Sequence, residues 1–366
     1  MPVFRKGELF CGPGGLGLGA TKSRIVINNQ EYRNENDETY RIEHTWANDI
    51  DENACNTFRY NICPNNPESV ICEDIKLLDL GSLPQIDALT FGFPCNDFSI
   101  VGEQLGFNGQ YGPLYTYGVG VINLQNPQWF LAENVGGLEN ANGGTAFQTI
   151  LNDLTNAGLG YNLTTNLYKF EEYGVPQARH RIIIVGIRRD LGLNFKVPAP
   201  THVNNYRTSR QALEEPPIPL DAYNHEFTHH PEHIVQRLTH IPPGENAWYE
   251  GIPEELRLKV KGAKLSQIYK RLDPNKPSYT ITGSGGGGTH VYHWSVPRAL
   301  TNRERARIQT FPDDFVFQGK KEAVRKQIGM AVPPLGAQII FEAILKTFAG
   351  ITYDYIEPSW NVDDLD

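Results

Sequence analysis

A glycine-rich turn near the start of the chain restricts the fold more than any other feature of the sequence. Residues 9–19 read Leu-Phe-Cys-Gly-Pro-Gly-Gly-Leu-Gly-Leu-Gly, after a short apolar run and at the start of a helical pattern. Glycines at such a place permit a tight turn and the close approach of a ligand. Gly12, Gly14 and Gly17 match the fingerprint GxGxxG, which alone leaves NAD, S-adenosylmethionine and a turn without ligand all open.

Strand-like and helical segments alternate through the first half of the chain. Apolar runs at 7–10, 43–47, 88–91 and 129–132 each end in a Gly, Pro, Asn or acidic cluster, and helical patterns at 52–60 and 146–157 fall between them. This rhythm predicts an α/β fold with a doubly wound, Rossmann-like parallel sheet. Because ligands bind beyond the carboxyl ends of such strands, we expect the functional residues to follow the strands.

Length and composition indicate a protein of two domains. With 366 residues there is room for a large core, and after residue 187 the composition changes to a stretch rich in Pro and His. We predict a catalytic, cofactor-binding domain of 1–187 completed by 320–366, and a smaller, irregular domain of 188–319 for target recognition, called the recognition domain below. Apolar runs such as 182–187 are far too short to span a membrane, so we expect a soluble protein with no membrane partner. The five cysteines lack zinc spacing and indicate reduced thiols.

Residues whose side chains could bind a ligand or react with one follow several of the predicted strands. Asp49 is placed to accept hydrogen bonds from ribose hydroxyls, and Asp74 is placed for the adenine amino group. Cys95 follows a strand and a proline in Gly92-Phe93-Pro94-Cys95, where a thiolate could be a nucleophile. The spacing alone favours a structural cysteine at this position.

With these residues in view, the sequence resembles the DNA cytosine-5 methyltransferases of bacterial restriction-modification systems. The resemblance fails only over about 188–264, and its blocks occur in the order of that family. The blocks are Phe-Cys-Gly-Pro-Gly-Gly at 10–15, Gly-Phe-Pro-Cys at 92–95, Glu-Asn-Val at 133–135, Gln-Ala-Arg-His-Arg at 177–181, the pair 298–304 and 309–312, and 327–334. Six ordered blocks are a strong signal, whereas a tripeptide such as Glu-Asn-Val alone carries almost none.

The resemblance assigns a mechanism that fits the chemistry of these residue types. Carbon 5 of cytosine is a poor nucleophile, so the thiolate of Cys95 first adds to carbon 6, after which carbon 5 takes the methyl group. Glu133 at N3 and Arg181 at O2 stabilise the developing charge, and Arg179 also serves the site. Since Arg181 precedes its strand whereas Cys95 and Glu133 follow theirs, the strand at 182–187 must run antiparallel, with 161–170 as its hairpin partner.

The resemblance also implies a cofactor, a substrate and their contacts. It implies S-adenosylmethionine, double-stranded DNA with a base flipped out of the helix, no metal, and a monomer in the bacterial cytoplasm, at the nucleoid. A cognate restriction endonuclease is expected in the same system without necessarily being bound. The implied cofactor contacts are Phe10, Gly12, Gly14, Gly15, Leu16, Asp49, Ile50, Asp74, Ile75, Pro94, Leu114, Met330 and Ala331. The implied DNA contacts are Ser99, Arg271, Thr280, Ile281 and Arg298.

Some positions depart from the family pattern. Asn96 stands where glutamine usually follows the catalytic cysteine, Tyr111 lies in the place of an Arg-Gly block, and Met330 replaces a common asparagine. None removes a group that the mechanism requires, so we expect activity with an altered affinity for the cofactor.

The charge distribution bears on the DNA substrate. A net charge of −9 argues against nucleic acid, but residues 257–307 hold eleven Lys or Arg against two acids, a net of +9 that leaves −18 elsewhere. We therefore expect one basic face that binds phosphate.

Other functions remain open at this stage. They are a tRNA-methylating enzyme of the same family, an NAD-dependent Rossmann oxidoreductase, and a catalytically silent DNA-binding module. The histidines at 225, 229, 230, 233 and 240 invite a zinc site, but no cysteine or acidic set completes one, and a polar surface of the recognition domain explains them better.

Overall fold

The structure is a computed structural model that describes residues 3–93, 114–259 and 265–360. The chain divides into two compact units, the first made of 1–169, 180–200 and 334–366 and the second of 170–179 and 201–333. The predicted domain boundaries at 187 and 319 differ from this division at three places. Residues 170–179 and 320–333, predicted for the catalytic domain, belong to the second unit, and residues 188–200, predicted for the smaller domain, belong to the first.

The strands within the described residues are short except for those of one central sheet. In chain order they are β1 (Val3–Leu9), β2 (Val26–Ile27), β3 (Gln30–Glu31), β4 (Arg41–Asp49), β5 (Val70–Cys72), β6 (Ala88–Gly92), β7 (Trp129–Val135), β8 (Tyr161–Lys169), β9 (Gln177–Ala178), β10 (His180–Arg188), β11 (Val197–Pro198), β12 (Ser278–Tyr279) and β13 (Tyr355–Ile356). The helices are α1 (Gly15–Lys22), α2 (Glu52–Asn61), α3 (Tyr115–Gln125), α4 (Thr145–Asn156), α5 (Ser209–Glu214), α6 (Glu232–Thr239), α7 (Asn302–Ile308), α8 (Lys321–Met330) and α9 (Pro334–Phe348).

The first unit is built on a seven-stranded sheet with the order β5-β4-β1-β6-β7-β10-β8. Strands β5, β4, β1, β6 and β7 pair in parallel, and β10 pairs antiparallel with both β7 and β8. The predicted α/β doubly wound sheet with one antiparallel strand is therefore confirmed, as is the hairpin partner of that strand. The chain leaves β1 for β4 on one side and later returns to β6 on the other, so the strand order reverses beside β1.

The inner strands and the helices of the first unit have the sequence patterns that such a sheet needs. Strands β6 and β10 are nearly continuous apolar runs, because helices cover both faces of the sheet. Helix α4 buries Ala146, Phe147, Ile150, Leu151 and Leu154, the spacing of one helical face. Helix α2 begins at Asp51, whose side chain accepts hydrogen bonds from the backbone N–H groups of Asn53 and Ala54.

The second unit has little regular structure, as its composition predicted. Among the residues that the structure describes, its named strands form one parallel pair, β9 with β12, and isolated bridges such as those of Tyr292 to Arg271 and Ala299 add to it. Its core includes an apolar cluster around Leu272, Ile281 and Trp294 and another around Leu238 and Tyr292.

The stretch Lys321–Phe348 is long and apolar enough to cross a membrane by length and composition alone. However, 72% of its most apolar window is buried inside the protein, as in the core helix of a soluble protein.

Candidate active site

The carboxyl ends of the parallel strands in the first unit carry the residues that the sequence singled out. The glycine turn follows β1, Asp49 ends β4, Gly92 ends β6, and Glu133 lies near the end of β7. Since β1 and β6 are neighbours at the point where the strand order reverses, the turn after β1 lies where open α/β sheets bind their ligands.

The glycine turn has a backbone that few residues other than glycine adopt. Gly12 and Gly14 have φ of 53° and 98°, and Phe10 is also left-handed at 54°. A left-handed bulky residue is a strained feature that clusters at functional sites. A side chain on Gly12 would meet no atom within 4 Å, so the turn leaves open space beside its backbone.

Asp49 holds the turn from the neighbouring strand. Its Oδ2 atom accepts a hydrogen bond from the N–H of Gly12 at 2.8 Å, and its Oδ1 atom accepts one from the N–H of Asp51 at 2.9 Å. Burial raises the pKa of the Asp49 carboxyl, and these two hydrogen bonds oppose the rise. Asp49 therefore shapes the turn, in addition to the ribose contact predicted for it.

The other predicted cofactor residues of the first unit fall into two groups. The side chain of Ile50 is 67% exposed beside Asp49, which suits an apolar contact with a ligand. Asp74 accepts a hydrogen bond from the N–H of Lys76 and begins the turn after β5. The second group is buried in the first unit and packs beneath the residues that could contact a ligand. It consists of Gly15, Leu16, Ile75 and Leu114.

An ion pair joins the ends of β7 and β10. The Nε atom of Arg181 lies 2.9 Å from Oε1 of Glu133, and each side chain keeps 13% of its surface exposed. The pairing of Arg181 with Val135 and of Ile183 with Glu133 in the antiparallel ladder sets this contact. The two side chains predicted for N3 and O2 of the base are thus adjacent, as the antiparallel strand required.

Gly92 provides the space for this pair, which the sequence did not reveal. Gly92 lies beside Glu133 in the parallel ladder of β6 and β7, and a Cβ atom on Gly92 would lie 3.0 Å from Oε2 of Glu133. With a side chain at residue 92, the carboxylate would have to shift by a few tenths of an ångström. The glycine that begins the block at 92–95 therefore leaves room for the acidic residue of another block.

Asn134 fixes the backbone at the end of β6. Its Nδ2 atom donates to the carbonyl oxygen of Phe93 at 3.2 Å, and its side chain is 2% exposed. The ring of Phe93 contacts the ring of Tyr115, whose hydroxyl donates to Asp153 at 2.7 Å. Three of the predicted site residues come shortly after this anchored point. These are Pro94, Cys95 and Ser99, which lie outside the described residues.

Arg179, predicted to serve the catalytic site, is buried in the second unit with 1% exposure. Its guanidinium donates to the carbonyl oxygens of Ile281 and Gly329 at 3.1 and 3.0 Å. Gln177 accepts from the N–H of Ile281 at 2.7 Å and donates to Gln309 at 2.8 Å. These contacts tie three segments of the second unit together, and a catalytic role for Arg179 stays a prediction.

Arg271, a predicted DNA contact of the second unit, faces inwards. It is 5% exposed and donates to the carbonyl oxygens of His293, Leu238 and Ile241 at 2.7 to 3.0 Å. The structure therefore corrects the expectation that Arg271 is available to phosphate. Arg298 forms a two-pronged ion pair with Glu304 at 2.7 and 2.8 Å and keeps 19% of its side chain exposed, so its DNA contact stays a prediction.

Thr280 and Ile281 are also engaged within the second unit. The hydroxyl of Thr280 donates to the carbonyl oxygen of Ala178 at 2.6 Å, and Ile281 is fully buried. Ile281 therefore supports the surface from within rather than contacting DNA directly.

Burial also corrects the expectation that residues 257–307 form one basic face. Arg303 and Arg305 are 0% and 3% exposed, and Arg307 pairs with Asp313. Arg257 lies at the surface and donates to two backbone carbonyls. Among the described cations of 257–307, Lys259 and Lys276 are the exposed lysines, while Lys261 and Lys264 lie outside the described residues.

Met330 and Ala331, predicted to line the cofactor, belong to the second unit. Met330 is 64% exposed and Ala331 is 6% exposed. Within the described ranges, no group of three or more His, Cys, Asp or Glu side chains is arranged to hold a metal ion. Two histidines of the predicted cluster have local partners instead, since His225 bonds the hydroxyl of Thr301 and His230 accepts the N–H of Ala299.

Comparisons with known proteins agree with this arrangement. Residues 4–346 match the family model of the C-5 cytosine-specific DNA methylases. The chain is 63% identical to the type II methyltransferase M.BbvI of Brevibacillus brevis, over 99% of this chain and 96% of that protein. It is 41% identical to the type II methyltransferase M.NgoFVII of Neisseria gonorrhoeae, over 93% of this chain and 86% of that protein.

Solved structures share the fold. A chain described as a candidate DNA modification methyltransferase encoded within an Escherichia coli prophage has a TM-score of 0.70 and 23% identity, covering 94% of this chain and 99% of that one. A DNMT2 mutant of Spodoptera frugiperda has a TM-score of 0.59 and 16% identity, with the same coverage. At these identities the likeness concerns the fold alone.

Proposed function

Because the chain belongs to the C-5 cytosine-specific DNA methylase family, we propose that it methylates carbon 5 of a flipped cytosine in a short duplex DNA sequence, with S-adenosylmethionine as the donor. It is a DNA (cytosine-5-)-methyltransferase, and its relatives are enzymes of type II restriction-modification systems. The alternative of an NAD-dependent oxidoreductase is therefore wrong.

The observation that carries the proposed mechanism is the Glu133–Arg181 pair at the ends of β7 and β10. Addition of the Cys95 thiolate to carbon 6 forms a carbon–sulfur bond and moves negative charge onto N3 and O2 of the ring. A protonated carboxyl group that donates to N3 and a guanidinium at O2 stabilise that charge where it develops. Carbon 5 then takes the methyl group, which leaves the donor as a neutral thioether, and loss of the carbon-5 proton to a base re-forms the ring double bond and expels the thiolate. Arg181 supplies the guanidinium and Glu133, once protonated, supplies the carboxyl group, and their contact in the structure holds the two side chains side by side.

The chemistry of the glycine turn supports S-adenosylmethionine over a dinucleotide. A pyrophosphate at such a turn needs free N–H groups at the start of the helix. Here the N–H of Gly12 in the turn donates to Asp49, so a carboxylate already takes this donor. A negative charge beside the turn suits a cation and repels a pyrophosphate. When bound, S-adenosylmethionine supplies a methyl group activated by a cationic sulfonium.

Trapping of the covalent adduct tests the mechanism. Duplex DNA with 5-fluorocytosine at the target keeps a fluorine where a proton must leave, so the enzyme should remain bonded to it. We expect an adduct that survives denaturation with the wild-type chain and none with Cys95→Ala. An adduct formed by Cys95→Ala would contradict the assignment of the nucleophile.

The target is identified by methylating a random-sequence plasmid and mapping 5-methylcytosine by bisulfite sequencing. We expect methylation confined to one short sequence. The same preparation is incubated with tRNA, and high transfer to tRNA with little transfer to duplex DNA would overturn the DNA proposal.

We further infer that the enzyme acts as a monomer in the bacterial cytoplasm, at the nucleoid, beside a cognate endonuclease that need not bind it. The names of its relatives support the restriction-modification context. Sedimentation of the purified chain with and without target DNA tests the monomer.

A further inference from the structure

A lysine and a glutamate lie buried side by side in the central strand of the sheet. Lys6 and Glu8 are two residues apart on β1 and point to the same face, and each side chain is 1% exposed. The ammonium of Lys6 contacts Oε2 of Glu8 and lies 3.3 Å from the hydroxyl of Thr90 on β6. Apart from these two residues, that face of β1 carries the fully buried Phe4.

Stability alone does not account for such a pair. Transfer of two charges from water to a protein interior costs several kcal/mol per ion, and well-packed apolar residues often replace a buried pair without loss. A buried pair in a central strand therefore indicates a role beyond packing. The position of the pair indicates a role at the glycine turn, because Glu8 comes two residues before Phe10, where the turn begins.

Glu8 reaches from the strand to the helix that follows the turn. A Cβ atom on Gly17, in the first turn of α1, would lie 3.3 Å from Oε2 of Glu8, and the backbone N–H of Gly17 helps to lower the pKa of this carboxyl. The residue at the N-cap of α1, Gly14, has no side chain that could cap the helix. The Glu8 carboxylate therefore packs against the first turn of α1, where the positive end of the helix favours a negative charge.

Lys6 is the group that allows Glu8 to do this as a carboxylate. Burial raises the pKa of Glu8, the charge of Asp49 raises it further, and Lys6 opposes both. On the neighbouring strand, His44 also faces Lys6, and its pKa is lowered to about 4, first by burial and then by this cation. Lys6 is thus the positive charge among these described neighbours of Glu8.

Resting on the proposed use of S-adenosylmethionine, we propose that Lys6 is a positioning residue for the cofactor: it holds the Glu8 carboxylate under Gly17 and so fixes the glycine turn in its binding shape. Lys6 touches neither the base nor the cofactor. Its loss should weaken cofactor binding and leave the chemical step at saturating cofactor unchanged.

The test compares Lys6→Met with the double variant Lys6→Met/Glu8→Gln. Calorimetric titration with S-adenosylmethionine should give a Kd about tenfold higher for Lys6→Met, because the buried Glu8 carboxylate loses its charge-assisted hydrogen bond to Lys6. The neutral amide of the double variant can pack against Gly17 without a buried unpaired charge, so binding should largely return. Backbone amide exchange at 14–20 should be faster in Lys6→Met and slower again in the double variant.

Arg5→Met is the matched control. Arg5 is the neighbouring cation on β1, is 51% exposed, and pairs with Asp87 away from the turn. It should bind the cofactor like the wild type. If Lys6→Met also binds like the wild type, or if the double variant is no better than Lys6→Met, the positioning role is wrong. If the wild-type chain itself fails to bind S-adenosylmethionine, the proposed cofactor is wrong instead.

Discussion

The two units of this enzyme use their charged side chains in opposite ways. In the first unit, Glu133 and Arg181 pair at the ends of strands and keep part of their surface exposed. In the second unit, Arg179, Arg271 and Arg303 are buried and donate to backbone carbonyls. We propose that the first pair serves the substrate, whereas the buried arginines of the second unit hold irregular backbone in place.

This difference shows how an irregular domain provides hydrogen-bond partners for its buried backbone carbonyls. A sheet pairs its carbonyls in ladders, but the second unit has little regular structure, and its buried carbonyls need other donors. The guanidinium of arginine offers five N–H donors in a rigid fork and suits this task. The positive charge of 257–307 is therefore in large part structural, and the number of arginines there overstates the basic surface.

The largest expected effect concerns the Glu133–Arg181 pair. Glu133→Gln should lower kcat by about 10² to 10³, because the group at N3 is lost where charge develops, while Tm stays close to that of the wild type. Single-turnover methyl transfer and calorimetry measure the two quantities. Glu139→Gln, a nearby change outside the pair, is the control. A variant with normal kcat and a lowered Tm would show that Glu133 is a structural residue, and the difference between the two units would then not hold.

Arg179 and Arg181, from the block at 177–181, test the difference between the two units directly, because one lies in each unit. Arg179→Met should lower the free energy of unfolding by about 3 kcal/mol, since it leaves two buried carbonyls without their donor. Arg181→Met should lower kcat with a much smaller effect on unfolding. Urea denaturation and single-turnover transfer are measured for both. If Arg179→Met keeps its stability but loses kcat, the catalytic role predicted from the sequence is correct.

Acid should weaken the second unit through its buried histidines. Burial lowers the pKa of His290 and of His293 to about 4, and nearby arginines add to the effect. The unfolded chain, with a histidine pKa of about 6.5, binds more protons between these values. Stability should therefore fall as the pH drops from 6.5 to 4.

Thermal unfolding between pH 7.5 and 4.5 measures this loss. His290→Gln should show a shallower decline of Tm than the wild type. His44 in the first unit is shifted in the same direction, so His44→Gln is measured beside it. An unchanged decline in His290→Gln would exclude this residue as a cause.

The smallest expected effect concerns the exposed lysines. Lys276 is 75% exposed, and Lys276→Ala should weaken DNA binding less than tenfold at every sequence. The slope of log Kd against log salt should fall by about 1 if one phosphate contact is lost. Fluorescence anisotropy at several salt concentrations measures the slope, with Lys320→Ala as a surface control. An unchanged slope would place the phosphate contacts elsewhere.

Much of the first unit could be predicted because its signals are local. Glycines that follow an apolar run, acidic residues at strand ends and ordered motif blocks gave the sheet, its antiparallel strand and the pairing of Glu133 with Arg181. The buried Lys6–Glu8 pair was missed, although two charges alternating with apolar residues in one strand are a detectable signal. The space that Gly92 leaves for Glu133 required the register of β6 and β7.

The sequence by itself determined the family, the doubly wound sheet and the one antiparallel strand with its hairpin partner. Only the tertiary structure decided the order of the strands and which charged side chains are buried. The partners of Arg271 are carbonyls about thirty residues before it and about twenty after it, at Leu238, Ile241 and His293. Burial and desolvation depend on such long-range contacts, which neither composition nor periodicity records.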